Sequence, residues 1–92
     1  MPKACAHHIL LKTKDEAMKV KDLLTNGANF QQVAKKHSIC PSRKKGGDLG
    51  EFDKGQMVKA FDDVVFKKAL LEVHGPIKTK FGFHLIKTLY RS

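Results

Sequence analysis

Hydrophobic and polar positions alternate along this chain in segments of two different periods. Ala4–Lys12 concentrates apolar side chains and ends where Thr13-Lys14-Asp15 turns polar, which predicts a buried first strand. Thr13 with Glu16 three positions on has the form of a capping box, and Ala17, Val20, Leu23 and Leu24 follow at helical spacing. Asn26-Gly27 supplies the stop. A second short helix starts after Asn29 as its cap, with Phe30, Val33, Ala34 and His37 on one face and Lys35-Lys36 on the other, and ends by Ser38.

From Ser38 to Gly50 three glycines and a proline predict a shaped loop, with Leu49–Phe52 as a short edge strand. Met57, Ala60, Phe61, Val64 and Val65 form a further helical stripe that leaves Lys59, Asp62 and Asp63 for water. His74-Gly75-Pro76 breaks that pattern. Pro76–Thr79 and Phe83–Tyr90 then read as two strands around the turn Lys80-Phe81-Gly82. Strand, helices, strand, helix and hairpin in this order predict an α+β fold with a mostly antiparallel sheet.

Length limits this picture to one domain, residues 1–92, with a small core. A content of 41% hydrophobic and 29% charged residues places the chain among folding globular sequences rather than disordered ones. The longest apolar run, Ile9-Leu10-Leu11, is too short to cross a bilayer, and the first residues lack a signal-peptide pattern. A cytoplasmic location without membrane partners is therefore expected, with Cys5 and Cys40 as free thiols.

A formal net charge of +9 favours anionic partners and keeps a nucleic-acid-binding role in view. It is not the favoured reading, because the basic residues run from Lys3 to Arg91 in small clusters without interleaved aromatic side chains. The glycine run Gly46-Gly47-Asp48-Leu49-Gly50 has neither dinucleotide nor Walker spacing, which argues against a phosphate cradle.

His8 and His84 both fall on largely apolar strand faces, where an ionisable ring is uncommon. One such histidine usually belongs to the core; two on neighbouring strands point to a site. Metal ligation is disfavoured, since His7 and His8 lie on opposite faces and no His-x3-His or CxxC pair exists, so neither metal nor cofactor is expected. A thiol nucleophile at Cys40 lacks an identifiable orienting partner, and a packed side chain is an equal alternative there.

Five motifs in register carry a family resemblance: His8-Ile9-Leu10, Ser38-x-Cys40, Gly46-Gly47-Asp48-Leu49-Gly50-x-Phe52, Gly55-Gln56-Met57-x-x-x-Phe61 and Phe81-Gly82-x-His84-x-Ile86. Over nearly the whole chain this resembles the parvulin family of peptidyl-prolyl cis/trans isomerases, in particular its single-domain bacterial branch. The resemblance implies an FKBP-like superfold with a four-stranded sheet and about four helices, one more than the pattern shows; a turn near Leu70-Leu71 is the place expected for the fourth. It matches His8, Cys40, Thr79 and His84 to the family's catalytic positions, and Leu49, Met57 and Phe61, with Phe81 at the rim, to its proline pocket.

The activity so implied is rotation of Xaa-Pro bonds in unfolded or flexible proteins, assisting their folding; a noncovalent mechanism is expected because no covalent bond must break, and a monomer because no heptad repeat or apolar edge is apparent. The family's phosphate-directed branch carries a long basic loop between the first strand and first helix. Only Lys12-Thr13-Lys14 stands there in this chain, so no phosphorylation requirement is expected and an apolar residue before proline is favoured. The alternatives are a basic nucleic-acid-binding module and a holdase chaperone that uses the same pocket.

Overall fold

In the computed structural model, which describes residues 2–92, the first apolar segment is strand β1 (Lys3–Leu11), and its alternating side chains serve both faces of the sheet. Ile9 and Leu11 point to one side, where helices α1 (Lys14–Thr25) and α2 (Phe30–His37) cover them with Ala17, Val20, Phe30, Val33 and Ala34. Ala4 and Ala6 point to the other, under helix α3 (Lys59–Lys67), with Phe61, Val64 and Val65. Period-two alternation in a central strand thus divides one chain's apolar residues into two cores.

The caps hold as the sequence predicts. Thr13 Oγ1 accepts from the Glu16 N–H at 3.1 Å, and Asn29 Oδ1 from the Gln32 N–H at 3.0 Å. Strand β2 (Asp48–Asp53) is an edge strand, and β3 (Val73–Thr79) and β4 (Gly82–Arg91) form the closing hairpin. The sheet order is β2-β1-β4-β3, antiparallel throughout, so the first and last strands are the central neighbours.

Four expectations need correction. The fourth helical element is not at Leu70-Leu71, which is a turn, but a short 3-10 helix at Pro41–Lys45 inside the predicted loop. Proline at its first position suits a helix start, where the missing N–H costs no bond. His74-Gly75-Pro76 lies inside β3, where the pairing with β4 shifts register between His74 and Ile77 instead of ending. Asp62 is buried, not solvated, because both its carboxylate oxygens accept from the Gly55 N–H, at 3.3 and 3.2 Å. Met57 precedes α3 in the loop that Asp62 holds, rather than opening the helix. No helix among the described residues is long and apolar enough to cross a membrane.

Candidate active site

Pairing of β1 with β4 sets His8 opposite Ile86 and Leu10 opposite His84. His8 and His84 are therefore diagonal neighbours on the α3 face, within reach of ring-to-ring contact. Their imidazoles stack with centroids 5.3 Å apart and planes 20° apart, and their Nδ1 atoms are 3.1 Å apart. Phe61 stands edge-on to both, at 5.6 Å from His8 and 5.3 Å from His84.

The Nδ1 contact requires one ring to donate and the other to accept, and each outer nitrogen has its own partner. His84 Nε2 lies 2.7 Å from Thr79 Oγ1, and His8 Nε2 lies 3.0 Å from Ser42 Oγ. Thr79 Oγ1 also accepts from the Phe81 N–H at 3.2 Å. A continuous chain Thr79–His84–His8–Ser42 results, satisfied with its protons ordered in either direction. Burial lowers the His8 pKa from its ordinary 6.5 to about 4, helped by the neighbouring His84, and burial lowers that of His84 as well. At neutral pH the pair is uncharged.

The hydroxyl that closes the chain belongs to Ser42, two positions beyond Cys40 in the 3-10 helix. Cys40 is half-buried in the wall of the adjoining cavity. Ser42 is brought in by the glycine pair. At Gly47 (φ 85°) a Cβ would come within 2.4 Å of the His8 carbonyl oxygen, and at Gly46 (φ 68°) within 2.7 Å of Gln31 Cβ. Only glycine lets this turn lie against β1 and α2 together, with the His8 N–H donating to Gly47 O at 2.9 Å. The sequence signal for Ser42 was a hydroxyl just ahead of that glycine pair.

Above the histidines opens a cavity of about 330 Å³. Leu10, Leu49, Met57, Val58 and Phe61 form its apolar walls, and Ile39-Cys40-Pro41 and Phe81 its rim. Ile39 and Phe81 are more than half exposed, at 55% and 58%, so the rim offers apolar surface to a visitor. Leu49, Met57, Phe61 and Phe81 thus line one cavity together with His8 and His84. Thr79 reaches the site through His84 rather than through the cavity wall.

This combination of four-stranded sheet, paired histidines and apolar cavity defines a peptidyl-prolyl isomerase domain of the parvulin type. The family model described as rotamase, PPIC-type PPIase domain, matches residues 8–89, and the chain belongs to that family. It is 46% identical over 87 residues to foldase protein PrsA 1 of Bacillus cereus, covering 94% of this chain and 30% of that protein. The crystal structure of PrsA from Bacillus subtilis superposes with a TM-score of 0.91 at 43% identity, over 96% of this chain and 35% of that one. NmPin, the parvulin of Nitrosopumilus maritimus, matches 98% of each chain, at 43% identity and a TM-score of 0.85. The chain thus spans about a third of the length of the PrsA foldases and the full length of a small parvulin.

Proposed function

We propose that the chain accelerates cis/trans rotation of Xaa-Pro bonds in flexible or unfolded polypeptides, without a covalent intermediate, and so assists their folding. The observation that carries this reading is the apolar cavity floored by two uncharged, mutually bonded histidines. Amide resonance sets a rotation barrier of about 18–20 kcal/mol, and uncatalysed exchange takes tens to hundreds of seconds. Reaching an ordinary turnover of about 1–1,000 per second requires a reduction of only about 3–7 kcal/mol. No bond has to break.

Leu49, Met57 and Phe61 grip the pyrrolidine ring, with Phe81 across the rim, while the preceding carbonyl turns. The twisted amide separates less charge than the planar one, so transfer into this apolar cavity favours the twisted form. The Thr79–His84–His8–Ser42 chain presents polar groups at fixed positions whose proton order can reverse as the carbonyl swings, without a net proton transfer to substrate. Cys40 lines the wall as a polarisable contact.

The link between β1 and α1 is only Lys12-Thr13, which supports action on unphosphorylated substrates. A cytoplasmic location belongs to the same reading, supported by the two unpaired cysteines, and a monomer is proposed with it. The test is a protease-coupled assay on peptides that vary the residue before proline and include phosphorylated forms. Catalysis of unmodified peptides, fastest with apolar residues before proline, is expected. Turnover confined to phosphopeptides, or none at all, would refute the proposal.

A further inference from the structure

A second cavity, of about 530 Å³, abuts the first and shares with it the wall Ile39-Cys40-Pro41. Its outer side is formed by Lys36 and His37 from the end of α2 and by Arg43 and Lys44 from the 3-10 helix. No acidic residue occurs between Asp22 and Asp48, and none lines this cavity, although Glu16 shares a neighbouring cavity with His37. The ion pairs among the described residues, Lys3–Asp53 and Lys67–Asp63, and the His7–Asp48 contact leave Lys36, Arg43 and Lys44 unneutralised. The shared wall is held in place, since the Ile39 N–H donates to Leu10 O at 2.8 Å and the Cys40 N–H to Ser38 Oγ at 3.3 Å.

We propose that this cavity is a substrate subsite for a carboxylate side chain, Glu or Asp, carried near the proline that occupies the apolar cavity. The proposal rests on the isomerase reading and specifies its substrate class: unphosphorylated acidic segments. A peptide seated across the shared wall sets proline over His8 and His84 and its acidic neighbour among Lys36, Arg43 and Lys44. Arginine contributes a planar donor fork that fits a carboxylate in two-point fashion, and the lysines contribute field. The site differs in position from the strand-to-helix loop used for phosphate in the related branch.

The test scans Glu, with Gln as its isostere, through the three positions on each side of proline in a short peptide. Values of kcat/KM are measured at low salt and near physiological ionic strength. At one or more positions the Glu peptide is expected to exceed its Gln partner about fivefold at low salt, equivalent to two modest charge pairs. The ratio falls with added salt and drops to near one in an Arg43→Gln/Lys44→Gln double variant. Ratios near one at every position in the native chain, or a ratio that survives in the double variant, would overturn the proposal.

If no peptide is turned over, the isomerase reading has failed, and NMR titration still decides the subsite. Glu-dependent shifts at the Lys36, Arg43 and Lys44 amides support it, and their absence refutes it. Shifts there caused by a single-stranded oligonucleotide but not by the Glu peptide would also refute it.

Discussion

His7 and His8 are adjacent in sequence and end in opposite circumstances. His7 lies on the α1/α2 face, tilted against Phe30 at 6.2 Å between ring centroids, with the Asp48 carboxylate 3.6 Å from its Nε2. His8 lies on the α3 face with a second imidazole, two hydroxyls in line and no carboxylate. Two helices pack over the first side, where His7 borders a mixed polar and apolar cavity of about 310 Å³ with Phe30 and Lys87, whereas α3 begins only at Lys59 and leaves the histidine end of the second face open as an apolar cavity. The same residue type packs against an aromatic ring beside a carboxylate on one face and joins a chain of imidazole and hydroxyl groups under an apolar cavity on the other. The neighbouring groups, more than residue type, decide which.

The largest test of that contrast is a pair of core truncations. Phe30→Ala and Phe61→Ala remove buried aromatic rings, and each should lower stability by about 3–5 kcal/mol, read from urea midpoints. Per folded molecule, Phe30→Ala should keep its turnover while Phe61→Ala loses at least a hundredfold. Equal loss of turnover in both would erase the distinction between the faces.

Next in size is a pH effect. The folded His8 pKa of about 4 lies below its ordinary 6.5, so between those values the unfolded chain binds more protons than the folded one. The stabilisation is complete above about pH 6.5, declines as pH falls toward 4 and changes no further below it. The lowering is worth about 3 kcal/mol from His8, and His84 acts in the same direction. Urea unfolding between pH 7.5 and 4 should show this slope, and His8→Gln should flatten it.

A smaller effect concerns Asp62, which anchors the loop carrying Met57. Asp62→Asn keeps one acceptor oxygen and should cost about 1–2 kcal/mol, with a rise in KM larger than the fall in kcat. Smallest is Ser42→Ala, which removes one end of the hydrogen-bonded chain. It should cost about 1 kcal/mol and slow turnover several-fold, and His8 ring NMR shifts would report the lost partner.

Most of this architecture could be read in the sequence because it rests on local patterns. The Thr13 and Asn29 caps, the α1 stripe and the closing hairpin each need only a few neighbouring residues. The two histidines stood out on apolar strand faces, the pocket residues came from motif resemblance, and adjacency of β1 and β4 brought the histidines together. What escaped depends on contacts remote in sequence. Ser42 is a site residue only because Gly46 and Gly47 permit a close approach to α2 and to the His8 carbonyl, 34 positions from Ser42 in the case of His8. Asp62 looked solvated by helical periodicity, which does not register the Gly55 N–H folded back onto it. The register shift in β3 likewise made a strand resemble a break at Gly75-Pro76.

The most direct test of the central claim is NMR exchange spectroscopy of cis/trans rotation in an unmodified Xaa-Pro peptide, with catalytic amounts of the native chain and of its Cys40→Ser and Cys40→Asp variants. Noncovalent rotation above the histidine floor predicts faster exchange in all three, reduced by no more than about tenfold in the variants. Fast exchange with the native chain, but none with either variant while both remain folded, would make Cys40 a nucleophile and contradict the account.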